Sequence, residues 1–345
     1  MIFYVFPSVV VYIYSIYVFT TKKPDKYNLT KLLIILSPAL LVAALRGNIG
    51  VDTENYTQHF SDKINNITDS YTFEVGFEKL IEIFVYLKLS VNGIFASIAT
   101  IITVLLSLSF SRNKNSILLF LLVLFPLYYV DSTMNGIRYG LAFSIASIAI
   151  DLLYKKNNPF FILMFIIASS IQISSTLIFL SFLLAKFNWK VLSFLLLISL
   201  IYSPEFTEFI LPYLIDKKDA YIYSYSPSFL SGIFPLIVFL ILYTLFLFNF
   251  KKPLAITEIH VLLILEILAF VLAKYSYAGL RCQLLFLFSL LLAIKNNLAN
   301  NILNESFYKA LFILSLILHG NFLKNLLTGV AEFNSTYLPY EFFWQ

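Results

Sequence analysis

Residues 116–130 contain no charged side chain and read SILLFLLVLFPLYYV. A polar turn, Asp131–Arg138 (DSTMNGIR), follows directly, and a second apolar run covers 136–154. Apolar runs of this length, joined by a short polar turn, are typical of helices that cross ~30 Å of hydrocarbon. The pattern predicts an all-α, polytopic integral membrane protein.

The rest of the chain extends this pattern. Hydrophobic residues make up 60% of the sequence, charged residues 12%, and the mean hydropathy is +0.85, whereas a soluble domain carries about 25% charged residues. Further apolar runs cover 2–20, 31–45, 92–110, 159–185, 191–203, 232–250, 257–273, 280–294 and 307–323. We therefore expect about 10–12 transmembrane or re-entrant helices, forming a single membrane domain over 1–345.

Positive charges in the short loops predict the orientation. Pairs of basic residues, such as Lys22 and Lys23, Arg112 and Lys114, and Lys155 and Lys156, separate the apolar runs. Because such loops remain on the cytoplasmic side, the N-terminus is expected outside, with two large outer loops at 46–91 and 204–231. The net charge of +5 arises mostly from these lysines and does not indicate a nucleic-acid partner.

Two segments call for closer interpretation. In the first outer loop, apolar residues recur at helical spacing, which predicts an amphipathic helix on the membrane surface within 73–89: Phe77, Leu80, Ile81, Phe84 and Leu87. Residues 159–203 fit either two short helices interrupted near Ser169–Gln172 or one long tilted helix followed by a re-entrant one. An interruption within the membrane is tolerated only where it is enclosed by protein or water.

Arginine is rare and unevenly placed. The chain has four arginines, and Arg46, Arg138 and Arg281 all lie at predicted outer ends of apolar runs. Guanidinium is always charged and binds phosphate or carboxylate through paired hydrogen bonds, so we predict an anionic lipid-linked substrate on the outer face. Alternative interpretations are an ion pair of Arg46 with Asp52, and snorkelling of Arg138 to lipid headgroups.

In the loop that follows Arg46, three side chains are candidates for a general base. Asp52, Glu54 and His59 are candidate catalytic residues because each could accept a proton from a hydroxyl group. A solvated loop position is the alternative for the two carboxylates, and surface placement is the alternative for His59. Two loop carboxylates are too weak a pattern to indicate a metal, so no metal or cofactor is predicted.

Three more residues complete the predicted substrate-binding set. Asn135, Lys274 and Tyr277 lie close to Arg138 or Arg281 in the sequence. Asn135 could instead be the N-cap of the helix that follows. Tyrosine is also common at membrane interfaces for its amphipathic ring alone. Elsewhere, Asp151 is expected to pair with Lys155, and Glu266 is a carboxylate within an apolar run without an evident partner.

Three motifs resemble those of the EpsG-like group of Wzy-type polysaccharide polymerases. Arg46–Tyr56 is similar to that family's arginine, Gly-x-Asp-Thr and tyrosine; Glu74–Glu78 resembles its Glu-x-Gly-aromatic motif; and Asn135–Arg138, with Ala142, resembles its Asn-x-x-Arg helix start. The resemblance covers residues 40–180. Gln172 stands where the family often has a histidine, so no role is carried over to that position.

The resemblance implies a function. Such enzymes join undecaprenyl-diphosphate-linked oligosaccharide repeats into O-antigen, capsular or exopolysaccharide on the outer face of the bacterial cytoplasmic membrane. It implies lipid-linked oligosaccharide, membrane lipid and a chain-length regulator protein as partners, with no nucleotide cofactor. A transporter or flippase of lipid-linked oligosaccharide is the alternative. An acyltransferase comes third, because it requires a catalytic histidine deep in a site and the sequence context of His260 and His319 does not indicate one.

Overall fold

The computed structural model describes residues 1–21, 29–67, 73–185, 230–249, 253–274, 276–298, 305–327 and 337–344. These residues form the helices α1 Ile2–Thr20, α2 Leu29–Ala44, α3 Thr53–Ile64, α4 Val75–Tyr86, α5 Val91–Phe110, α6 Lys114–Met134, α7 Ile137–Tyr154, α8 Asn158–Ile171, α9 Thr176–Leu184, α10 Ile233–Asn249, α11 Pro253–Leu272, α12 Tyr277–Leu298 and α13 Glu305–Leu327. The predicted run 191–203 and nearly all of the predicted loop 204–231 lie outside the described residues.

The helices are those of a membrane protein. Within the described residues, six are long and apolar enough to cross a membrane: α1, α5, α6, α7, α12 and α13. On α1, the exposed side chains include Ile2, Phe6, Val9 and Ile13, spaced at three or four residues. An apolar stripe turned away from the protein suits a lipid environment. The prediction of an all-α, polytopic membrane protein is confirmed.

The described residues divide into two compact units. The first comprises 1–176 and 295–345, and the second comprises 177–294. The single membrane domain expected over 1–345 stays a prediction.

Helix α6 is the centre of the first unit. Of its membrane-crossing length, 89% is buried, and it packs against α1, α2, α5 and α13. Its middle part, Phe120–Tyr129, is π-helical and contains Pro126. Proline cannot donate an N–H bond and crowds the preceding turn, which is a known cause of departures from regular α-helix. The uncharged run 116–130 therefore lies in the most enclosed helix among the candidate spans.

The region after α7 confirms the interrupted-helix interpretation. Helix α8 ends at Ile171, Gln172 is extended with φ −149°, and a short 3₁₀ turn, Ile173–Ser175, leads into α9. The helix predicted within 73–89 is present as α4, and its place on the membrane surface stays a prediction. Phe77, Ile81 and Phe84 are buried as the periodicity indicated, whereas Leu80 is half-buried and Leu87, which follows the helix, is exposed. Helix α3 was not predicted, because its sequence is too polar to stand out from a loop.

One ion cluster corrects the expected pairing of Asp151. The Asp151 carboxylate is fully buried near the end of α7 and pairs with Arg112 at 2.9 Å and with Lys295, not with Lys155. Ser109 on α5 also donates to it at 2.9 Å. The carboxylate thus joins α5, α7 and α12 at one end of the first unit.

In the second unit, the buried Glu266 has a partner. Gln283 of α12 donates from Nε2 to the Glu266 carboxylate on α11 at 2.8 Å and to the Gly232 carbonyl at 3.0 Å. An amide partner reduces the cost of placing the carboxyl group among apolar side chains.

Replacing Asp151 tests the role of the ion cluster. We expect Asp151→Asn to destabilise the protein by about 3 kcal/mol or more, because Lys295 would remain buried without a counter-charge. Thermal unfolding of the purified protein in detergent measures this loss. Glu305→Gln, which removes an exposed ion pair with Lys309 on α13, is the control and should leave the melting temperature unchanged. Equal melting temperatures for the two variants would contradict a structural role for the cluster.

Candidate functional site

Arg46 is held in place by the C-terminal segment of the chain. Immediately after α2, its main chain forms an antiparallel bridge with Phe342. On either side, Gly47 N–H donates to the Glu341 carbonyl at 2.8 Å, and Phe343 N–H donates to the Leu45 carbonyl at 3.1 Å. We call residues 337–344 the C-terminal strap, since this short ladder ties them to the end of α2.

The Arg46 side chain is buried but only partly satisfied. It is 2% exposed, and Nη1 donates to the Thr133 carbonyl at 2.9 Å. The guanidinium carbon lies 4.6 Å from the centre of the Phe95 ring. Its Nε and Nη2 atoms have no hydrogen-bond partner among the described residues. Burial lowers the pKa of Arg46 to about 10, so the group is still charged at neutral pH, and these two nitrogens together hold three N–H groups that no described residue accepts.

The Gly-x-Asp-Thr motif connects this arginine to the start of α7. Gly50 has φ +111°, and a Cβ there would lie 2.9 Å from the Met134 carbonyl, so the close turn requires glycine. The turn brings the Asp52 N–H to the Asn135 side-chain oxygen at 3.1 Å. Asn135 is therefore not the N-cap of α7. That position belongs to Gly136, while the Asn135 side chain holds the Asp52 turn.

Arg138 is surrounded by α3 and by the start of α4. It forms an ion pair with Glu74, and its Nε donates to the Tyr56 hydroxyl at 3.3 Å. Its guanidinium carbon lies 4.2 Å from the centre of the Phe73 ring. Burial raises the pKa of Tyr56, so the hydroxyl stays neutral. Arg138 thus packs against the protein rather than extending toward lipid headgroups as snorkelling requires.

His59 is not on the surface as the alternative interpretation had it. It lies on α3, is 2% exposed, and its Nε2 is 3.1 Å from a Glu78 carboxylate oxygen. Its ring also packs edge-on against Phe73, with centroids 4.6 Å apart. Lys63 pairs with the other oxygen of Glu78 at 2.9 Å. These contacts fasten α3 to α4 and leave His59 enclosed.

The two candidate carboxylates differ in environment. Asp52 is half-buried at the N-cap of α3, whereas Glu54 in the first turn of α3 is exposed. Asp52 forms no ion pair with Arg46 among the described residues, and Arg46 instead bonds to Thr133. The structure brings Arg46, Asp52, Asn135 and Arg138 to the neighbourhood of one helix, α3, within the first unit.

The remaining candidates belong to the second unit. Lys274, after α11, donates to the Ser231 carbonyl at 2.7 Å and lies 4.0 Å from the centre of the Phe270 ring. Tyr277 begins α12, and Arg281, one turn later, is exposed. A shared site of these residues with Arg46 and Arg138 stays a prediction.

Sequence reasoning missed four residues of this site. Glu74, Tyr56, Asp131 and Tyr337 each contact a candidate residue or its direct partner. Glu74 and Tyr56 lie in the family-like motifs, but the sequence did not indicate that Arg138 is the partner of both. Nothing in the sequence linked Tyr337 to residue 131, since 206 residues separate them.

The six candidate spans among the described residues define a polytopic helical membrane protein, and two of its four arginines, Arg46 and Arg138, contact neighbouring elements in the first unit. A family model described as the EpsG family matches residues 28–342 of the 345. The chain therefore belongs to the EpsG family and is a membrane protein of polysaccharide biosynthesis. Neither a curated protein nor a solved structure matches it.

Gly76 of the Glu-x-Gly motif allows α4 to pack closely on α8, and its replacement tests this contact. A Cβ at Gly76 would lie 2.1 Å from Ser170 Oγ and 2.8 Å from the Ser170 carbonyl carbon on α8. We expect Gly76→Ala to push α4 away from α8 and lower the melting temperature by several degrees, since backbone cannot yield as a side chain can. Melting of the purified protein in detergent measures the shift.

Gly320, in the interior of α13, is the matched control because nothing lies within 4 Å of a Cβ there. Alanine favours helix over glycine by up to ~1 kcal/mol, so Gly320→Ala should be neutral or stabilising. A Gly76→Ala protein as stable as Gly320→Ala would show that the α4–α8 contact is not tight.

Proposed function

We propose that the protein is a polymerase of undecaprenyl-diphosphate-linked oligosaccharide repeat units on the outer face of the bacterial cytoplasmic membrane. A hydroxyl of the acceptor repeat attacks the anomeric carbon of the donor chain. The bond from that carbon to the diphosphate oxygen breaks, and undecaprenyl diphosphate leaves with the electron pair. The hydroxyl proton passes to a base, and the donor chain becomes one repeat longer.

The buried Arg46 carries this proposal. A guanidinium that is 2% exposed and has two nitrogens without a partner among the described residues is costly unless a ligand completes it. A leaving diphosphate supplies several acceptor oxygens and negative charge. Fixed donors aimed at developing charge are among the largest contributions to catalysis. Membership of a polysaccharide family supports the same ligand.

Arg138 supplies a second, more accessible cation. Its side chain is 22% exposed, and the Glu74 carboxylate holds one end of it. We assign it to the second phosphate or to an acidic sugar, where it exchanges part of its contact with Glu74 for the ligand. Lys274, Tyr277 and Arg281 remain proposed contacts for the glycan and its diphosphate, and Asn135 acts through the Asp52 turn.

Asp52 is the base that the geometry favours among the three candidates. His59 is enclosed by Glu78 and Phe73, and Glu54 is exposed in the first turn of α3. Asp52 is half-buried, and its main chain is fixed by Asn135. A positioned carboxylate of this kind can take the proton from the acceptor hydroxyl.

A transporter of lipid-linked oligosaccharide is the alternative function. It would place cations along a path through the membrane. In α7, Arg138 and Asp151 lie roughly 20 Å apart at opposite ends, at 1.5 Å rise per residue, and residues 139–150 between them carry no charge. This favours a site at one end of the helix over a path along it. Purified protein that elongates lipid-linked repeats in detergent, where no transport is possible, would separate the two functions. We also propose a chain-length regulator protein as a partner.

Conservative replacement of the arginines tests the anion site. We expect Arg46→Lys and Arg138→Lys to reduce polymer formation at least tenfold although both keep the charge, because an ammonium cannot form guanidinium's paired hydrogen bonds. Cells carrying either variant should accumulate single repeat units. Arg112→Lys, at the Asp151 end of the first unit, is the control and should make normal polymer. Polymer of normal length from Arg138→Lys would contradict the role of Arg138 in the anion site.

Replacement of Asp52 tests the base. Asp52→Asn keeps the shape and removes proton acceptance, so turnover of purified enzyme on synthetic lipid-linked repeats should fall by ~10²–10⁴-fold. Asp62→Asn, on the same helix, controls for loss of a carboxylate and should retain turnover. Near-normal turnover by a folded Asp52→Asn protein would shift the assignment to Glu54 or His59, or to a mechanism without a protein base.

A further inference from the structure

The C-terminal strap reaches the site through one side chain as well as through its main chain. The Tyr337 hydroxyl donates to Asp131 Oδ1 at 2.7 Å, at the end of α6. The Tyr4 hydroxyl of α1 in turn donates to the Tyr337 carbonyl at 2.9 Å, with the two rings packed edge to face. Tyr337 is therefore fixed at both its backbone and its hydroxyl.

Asp131 fixes the orientation of the Asn135 side-chain amide. The Asn135 amide nitrogen donates to the same Asp131 Oδ1 at 3.1 Å. This leaves the Asn135 oxygen on the other side, where it accepts the Asp52 N–H at 3.1 Å. With the amide turned around, its NH₂ group would face the Asp52 N–H, donor against donor. A fixed Asp131 therefore fixes the contact that holds Asp52.

The Tyr337 hydroxyl is suited to this role because it always donates. Burial raises its pKa well above 10, and the nearby Asp131 carboxylate raises it further. The group remains a protonated donor throughout the physiological range. A hydrogen bond to a charged acceptor is also stronger than one between neutral groups.

We propose that Tyr337 is a positioning residue for Asp52, acting through Asp131 and Asn135, so that the C-terminal strap is an integral part of the site. Its catalytic meaning rests on the proposed polymerase function, in which Asp52 takes the acceptor proton. The relay joins residues from α1, the end of α6, the α6–α7 turn, the start of α3 and the chain terminus.

Tyr337→Phe tests this because it removes only the hydroxyl and keeps the ring. Tyr340→Phe is the matched control: Tyr340 lies in the same strap, but its hydroxyl donates to the Val42 main-chain carbonyl at 2.8 Å. On synthetic lipid-linked repeats, we expect Tyr337→Phe to lower kcat about tenfold with KM within twofold, and Tyr340→Phe to change kcat by less than twofold. Equal kcat values for the two variants would overturn the proposal.

A double-mutant cycle separates positioning from general loosening of the fold. If Tyr337 acts through Asp52, adding Tyr337→Phe to Asp52→Asn should produce little further loss of kcat. A strap that only stabilises the fold would give losses that multiply, and that result would contradict the relay.

Hydrogen exchange gives a readout that is independent of activity. In the full-length protein in lipid nanodiscs, the peptide containing the Asp52 amide should exchange about tenfold faster in Tyr337→Phe than in wild type or Tyr340→Phe. Unchanged exchange would overturn the relay. If wild-type protein fails to elongate lipid-linked repeats, the polymerase function fails, while the exchange comparison still decides whether Tyr337 holds Asp52.

Discussion

The buried guanidinium of Arg46 is the constraint on which the rest of the site depends. A charge that is 2% exposed is stable only if its surroundings replace water. Here the Thr133 carbonyl and the face of the Phe95 ring do so in part. To assemble these groups, the end of α2 must meet α5, the end of α6 and the C-terminal strap. The charge therefore determines how distant parts of the chain come together.

Helices α3 and α4 form the second layer of this arrangement, around Arg138. Glu74 pairs with Arg138, and Glu78, one turn later on α4, pairs with His59 and Lys63 of α3. The first carboxylate orients the Arg138 guanidinium, while the second fastens α3 to α4. Because Glu74 is partly exposed and Glu78 is more enclosed, a ligand can compete for Arg138 without separating α3 from α4.

The apolar runs predicted most of the described helices, because lipid imposes a length and a composition that are visible in sequence. Scarcity of arginine likewise pointed to Arg46 and Arg138. Helix α3 was missed, and with it the burial of His59, because its inward face is only Thr53, Tyr56, His59 and Phe60 within a polar stretch. The partners Glu74, Asp131 and Tyr337 could not be predicted, since nothing in a single sequence reports contacts across 64 to 206 residues.

The buried charges near the two ends of α7, Asp151 and Arg46, differ in how completely the protein pairs them. At one end, Asp151 is met by Arg112, Lys295 and Ser109, so its contacts are complete within the protein and its contribution is structural. At the other end, Arg46 lies beside the same helix bundle with two donors that no described residue accepts. We propose that a ligand completes this buried charge, since unpaired buried donors are costly. In a membrane protein of polysaccharide biosynthesis, the diphosphate of a lipid-linked glycan has the charge and the acceptor oxygens to do so.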